Sequence, residues 1–167
     1  MSGAPVDRPG AACDLGVRVP CGVCALHARE GGPPLMAWTD GTWIVRHHAH
    51  PAPLAGWFLL DSVRCVRNAA GFEPAEAAAF GTVLQRVTRA VSEACDVPRT
   101  YTIMFGEGAP HLHAHIVPRN PADPASCAWS VADLYRDVER GARAPADPSE
   151  VDAIVARVRS LLCSRQL

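Results

Sequence analysis

The stretch HLHAHIV, residues 111 to 117, constrains this chain more than any other. In an extended strand, successive side chains point to opposite faces. His111, His113 and His115 then share one face, and Leu112, Ala114 and Ile116 line the other. The apolar face must be the buried one. Three of the chain's seven histidines fall in this row, which argues against a polar solvent face that is His-rich by chance. Imidazole titrates, ligates metals and attacks phosphorus near neutral pH. A reactive face and a metal-binding face are both open.

The length of 167 residues suits one domain with room for an extra segment. The chain is 49% hydrophobic and 20% charged, which is ordinary for a globular protein with a core. A formal net charge of -1 offers no electrostatic argument for a nucleic-acid or membrane-surface partner. All 16 basic residues are arginine, which excludes a lysine nucleophile or Schiff base. No apolar run is long enough to span a bilayer, and Met1 to Pro20 lacks the pattern of a signal peptide. The expectation is a cytoplasmic protein whose cysteines are thiols or metal ligands rather than disulfides.

Residues 1–20 are rich in Gly, Pro and Ala and read as a flexible lead-in. Strands are predicted over Thr42 to His48, Trp57 to Val66, Arg99 to Phe105 and His111 to Val117. A helix is predicted from Pro74 to Cys95. Phe80, Val83, Leu84, Val87 and Val91 repeat there at helical spacing, Pro74 suits the first turn, and Glu76 suits the positive helix end. Two more amphipathic stretches cover Ser130 to Arg140 and Pro148 to Leu162. The expected organisation is a catalytic domain over 21–120 and a C-terminal helical extension over 121–167. CGVC places Cys21 and Cys24 in a C-x-x-C, which suits a zinc knuckle or a redox pair. No thioredoxin-like βαβ pattern surrounds it, which favours metal.

HLHAHIV followed by PR resembles the signature of the histidine triad (HIT) family. The order of C-x-x-C, apolar strand, helix and triad, over roughly Cys21 to Arg119, is similar too. The resemblance implies an α+β fold, with an antiparallel sheet of about five strands and a long helix packed on it. It implies a nucleotidyl hydrolase or transferase in which His113 attacks the α-phosphorus to form a covalent intermediate. His115, on the same face, is the candidate donor to the phosphate oxygens. Bacterial members similar to this chain carry a structural zinc. The implied ligands are Cys21, Cys24, His111 and Cys65, with Cys65 standing where such proteins carry a histidine. A buried Cys65 thiol, with His50 as fourth ligand or none, is the alternative. A homodimer is implied by resemblance alone. The expected partner is a small phosphate-containing substrate, not nucleic acid or membrane.

The chain departs from that pattern twice. The loop before the triad, MFGEGAPH, keeps Gly106 and Gly108 but lacks the family's Asn and Gln. It introduces Glu107, which can serve as a general acid or base or stand as an exposed turn residue. The ribose-binding aspartate is also missing; IVRHHAHPAP carries His47, His48 and His50 there. Trp43, Trp57, Arg46 and Arg119 are candidate pocket residues, the indoles by stacking on a base, with core packing the alternative for each Trp. Three functions therefore compete: a HIT-type enzyme acting on a nucleotide or related phosphate ester, a HIT-fold enzyme repurposed for a non-nucleotide substrate in specialised metabolism, and a non-catalytic zinc-stabilised binding protein.

Overall fold

The computed structural model describes residues 21–106 and 109–164. The lead-in expected over 1–20 lies outside them. A short helix, α1 (Gly22–His27), opens the described chain, followed by β1 (Met36–Thr39), β2 (Trp43–His47) and β3 (Phe58–Ser62). The long helix α2 (Pro74–Ala94) leads into β4 (Thr100–Ile103) and β5 (His113–Pro118), and the helices α3 (Val131–Glu139) and α4 (Pro148–Ser164) complete it. The fold is α+β, with the five strands in one sheet in the order β1-β2-β3-β5-β4. Every neighbouring pair is antiparallel. Pairing β3 with β5 carries the triad strand into the middle of the sheet.

α2 starts as its sequence predicts. The Glu73 side chain caps the N3 amide, Glu76 returns a contact to the Glu73 amide, and Pro74 occupies the first turn. Val83, Val87, Ala90, Val91 and Ala94 are its buried face. They join Trp43, Val45, Phe58, Leu60, Ala114 and Ile116 in the main core. α4 belongs to the same core through Val151, Ile154, Val155, Val158 and Leu162, each burial stabilising by about 1.5–3 kcal/mol. The opposite sheet face carries a second, smaller core, where Val131 and Leu134 of α3 cover Trp57 and Val117.

β2 and β3 are buried at every position, on both faces. That explains the near-continuous apolar run WFLL. Gly56, just before β3, has a φ of +83°, and a Cβ there would lie 2.4 Å from the Cys95 sulfur. Glycine is therefore required where the sheet meets the end of α2. β1 and α1 were not predicted; both are short, and β1 is interrupted between Met36 and Trp38 by an irregular register. β3 ends at Ser62, earlier than the predicted Val66, and β5 begins at His113, later than the predicted His111. Beyond these ends the two segments still run side by side, with the Leu112 amide bonded to the Val66 carbonyl at 2.6 Å. Among the described residues, no helix is long and apolar enough to cross a membrane.

Candidate active site and metal cluster

His113 and His115 stand on one face of β5, opposite Asp61 and Leu59 of β3 respectively. Leu112, Ala114 and Ile116 face the main core, as the alternation requires. His113 Nδ1 lies 2.6 Å from the carbonyl oxygen of His111. A carbonyl only accepts, so Nδ1 carries the proton and the neutral ring keeps its lone pair on Nε2. His113 lines a cavity of about 370 Å³, together with Gly106, Phe105 and Arg67.

His115 is held differently. The Trp57 indole N–H donates to its Nδ1 at 3.0 Å, which puts the imidazole proton on Nε2. That Nε2 is buried and has no hydrogen-bond partner. The ring stacks on Phe105, with centroids 4.5 Å apart. Burial, together with neighbouring His113, pushes the His115 pKa down to about 3. His115 is thus a neutral imidazole presenting an unpaired N–H donor two residues from His113.

Burial alone would raise the Asp61 pKa, but a hydrogen bond from His27 and the Arg46 guanidinium hold it below its ordinary value. His27 Nε2 donates to Asp61 Oδ2 at 3.0 Å, and Arg46 Nε donates to the same oxygen at 2.6 Å. A carboxylate inside an apolar run is the sequence signal for such a pair. The position of the missing ribose aspartate is occupied by imidazoles with internal partners. His47 Nδ1–H donates to the His48 carbonyl at 2.8 Å, and its Nε2 accepts from the Gly56 amide at 2.9 Å. Burial pushes its pKa down to about 4. His48 meets Tyr135 of α3, with ring centroids 4.9 Å apart.

The first triad histidine turns to the cysteines. His111 Nδ1 lies 3.4 Å from both the Cys21 and the Cys24 sulfur. Its Nε2–H donates to the Ser62 carbonyl at 2.7 Å, so Nδ1 has the lone pair. A tetrahedral ion bound at ordinary zinc–nitrogen and zinc–sulfur lengths separates such atoms by about 3.5 Å, and the carbonyl behind the ring is the usual outer support. Ligand atoms of Cys21, Cys24, Cys65 and His111 all lie within 4.8 Å of one another and could hold a metal ion. His50 is exposed and is not in this group. Burial and the Cys21 thiol push the Cys24 pKa up to about 12, so a cation is what would favour thiolate there. Neither Cys21 nor Cys24 is in a disulfide. Cys65, expected as a thiolate, is disulfide-bonded here; its sulfur becomes a ligand only after reduction.

Two expected substrate contacts are corrected. Trp43 is fully buried on the opposite face of the sheet, edge-on to Phe72 and tilted against Phe80. Alternation in β2 sends it into the α2 core, not to the triad. The Arg119 guanidinium is held by the loop that follows β5, donating to the Asp123 carbonyl at 3.0 Å and to Ser126 Oγ at 2.9 Å. Gly106 lines the His113 cavity, where a Cβ would lie 2.8 Å from the Ala109 carbonyl oxygen. Glu107 and Gly108 lie outside the described residues. Trp57, a candidate pocket residue from the sequence, bonds His115, whereas Tyr135 and Phe105 beside the same ring escaped the sequence reading because spacing does not bring them together.

No family model matches the chain, and no curated protein matches it. Solved structures do. A Zn-bound histidine triad family protein from Mycobacterium smegmatis is similar at 17% identity, covering 80% of this chain and 86% of that one, with a TM-score of 0.58. A histidine triad protein from Bradyrhizobium japonicum is 22% identical over 76% of this chain and 89% of its own, with a TM-score of 0.59. A HIT-like protein from Bartonella henselae, involved in cell-cycle regulation, is 16% identical over 77% and 87%, with a TM-score of 0.56. Sheet, long helix and triad strand together give this chain the histidine triad fold.

Proposed function

We propose that this chain is a histidine triad enzyme, a hydrolase or transferase that cleaves a phosphate ester or phosphoramidate through a covalent intermediate on His113. The observation that carries this reading is the His111 carbonyl bound to His113 Nδ1. It fixes the tautomer whose Nε2 lone pair can attack. In the first step a bond forms between Nε2 and phosphorus. The bond to the leaving group breaks, and the leaving group takes the electron pair and then a proton from water. The His115 Nε2–H, held ready by Trp57, meets the charge developing on a phosphate oxygen. In the second step water or another acceptor attacks phosphorus, loses its proton and frees neutral His113. Glu107 is close enough in sequence to serve as acid or base in either step.

Zinc suits the cysteine–histidine group, with Cys21, Cys24, His111 and, once reduced, Cys65 as ligands. Bound there it would supply structure, tying α1 to the sheet and holding His111, whose carbonyl orients His113. A cytoplasmic homodimer completes the proposal.

One observation favours a substrate other than a nucleotide. Tyr135 covers His48, in the region where the family resemblance would seat a ribose. The test is to incubate reduced protein with a panel of nucleoside phosphoramidates, dinucleotides and simple phosphoramidates, quench without acid, and record intact mass. A mass gain of one phosphoryl or nucleotidyl group, absent from His113→Ala, is expected. Binding with neither adduct nor product from any compound would favour a non-catalytic binding protein instead.

A further inference from the structure

Cys65 has two competing uses. Its sulfur lies within 4.8 Å of the ligand atoms of Cys21, Cys24 and His111, and it is also disulfide-bonded. A disulfide sulfur carries no thiolate charge, and thiolate is the form that ligates zinc. The two uses exclude each other. The fold commits the other ligands to the cluster. Cys21 is buried, and its sulfur accepts the Cys24 amide at 3.4 Å across the first turn of α1. His111 is buried, with its ring held from behind by the Ser62 carbonyl. Cys65 is half-buried in the segment past the end of β3, and the two residues before it, Val63 and Arg64, are exposed. That segment opens to the surface, where a sulfur from outside the cluster can reach it. Cys21, Cys24, Cys95, Cys127 and Cys163 are in no disulfide. Cys13 is the one other cysteine in the sequence, and it lies outside the described residues.

We propose that Cys65 is a redox switch on the metal site, a thiolate ligand in the reduced protein and a disulfide to Cys13 in the oxidised one; this rests on the reading of the cluster as a zinc site. A peroxide is the oxidant. The Cys65 thiolate attacks a peroxide oxygen, giving a sulfenic acid and hydroxide. The Cys13 thiolate then attacks the Cys65 sulfur, closing the S–S bond and releasing a second hydroxide. Two electrons pass from the sulfurs to the peroxide, and a dithiol reverses the exchange. Oxidation leaves Cys21, Cys24 and His111, one ligand short of the closed four of a structural zinc site. The His111 carbonyl orients His113, so the same oxidation slackens the hold on the nucleophile. Disulfides in a reducing compartment are usually transient and redox-sensing, which suits a sulfur with two uses.

The test uses the full-length protein, reduced, loaded with zinc and titrated with hydrogen peroxide. Zinc release is read with a chromogenic chelator, alongside intact mass and a peptide map. The wild type should lose its zinc in step with the loss of two hydrogens. The map should join Cys65 to Cys13, and dithiothreitol with added zinc should restore the starting state. Cys65→His keeps four ligands without the switching sulfur, and Cys13→Ser removes its partner. Each should hold zinc through a peroxide dose that empties the wild type. If Cys65→His fails to fold, Cys13→Ser alone decides. Zinc retained by wild type whose Cys65 is oxidised, or lost as readily from Cys13→Ser, overturns the switch while the zinc site stands. Reduced wild type that takes up no zinc overturns both.

Discussion

His113 and His115 are two residues apart on one strand and one face, yet their surroundings are opposite. His113 lines an open cavity. His115 is 2% exposed, with an indole on one nitrogen and an aromatic ring against its face. A backbone carbonyl sets the tautomer of the first, and a side chain sets that of the second. The two tautomers are mirror choices. His113 offers a lone pair where His115 offers a proton, which is the division of labour that attack on phosphorus needs. An identical residue type thus takes two roles because the fold places different partners at each end of the row.

The comparison breaks most sharply at the open end. His113→Asn should reduce turnover by about a thousandfold or more and leave the melting temperature within a degree or two. Retained turnover in that variant would remove the nucleophile and collapse the contrast. The metal cluster is the next largest effect. Removing metal with a chelator, or introducing Cys24→Ser, should destabilise reduced protein by about 3–5 kcal/mol, a fraction of what structural zinc supplies in small domains. Metal content by mass spectrometry should fall from one ion per chain to none; a protein that never carries metal when reduced would refute this.

At the closed end the expected effects are in stability. His115 and His47 have folded-state pKa values of about 3 and about 4, both below the ordinary histidine value of 6.5. Between those limits the unfolded chain binds protons that the folded chain refuses. Stability is therefore fully present above about pH 6.5 and falls as pH drops toward 4. The loss by pH 4.5 should be roughly 3–5 kcal/mol. Denaturant titrations at stepped pH would show it, and a flat profile would mean that these rings are accessible to protons. Trp57→Phe sharpens the point with a smaller change. It deletes one donor and should cost about 1–2 kcal/mol and roughly tenfold in turnover. The nitrogen-15 spectrum should then show His115 losing its single tautomer. An unchanged spectrum would mean that something other than the indole fixes the proton.

Much of this was legible in the chain because period and chemistry act locally. Period two in HLHAHIV separates imidazoles from core residues, and period 3.6 after Pro74 marks α2. The C-x-x-C spacing brings two sulfurs to one turn. Other features were not legible because they join distant segments. No local spacing joins Cys65 to His111; the family resemblance named the pair, and they meet because their backbones leave the sheet side by side. Trp43 was placed in the pocket on residue type, but strand alternation turns it to the other face. Arg119 follows the triad directly, yet its guanidinium closes the loop behind it. Tyr135 lies in a segment whose period shows a helix but not what that helix covers.

Alone, the amino-acid order determined the elements, the apolar and imidazole faces of the triad strand, and the set of side chains able to ligate a metal or attack phosphorus. Tertiary structure alone decided which histidine opens onto a cavity and which nitrogen of each ring carries the proton. The reason is physical. Periodicity depends on the geometry of neighbouring residues, whereas burial and hydrogen-bond partners depend on which remote segment packs against them.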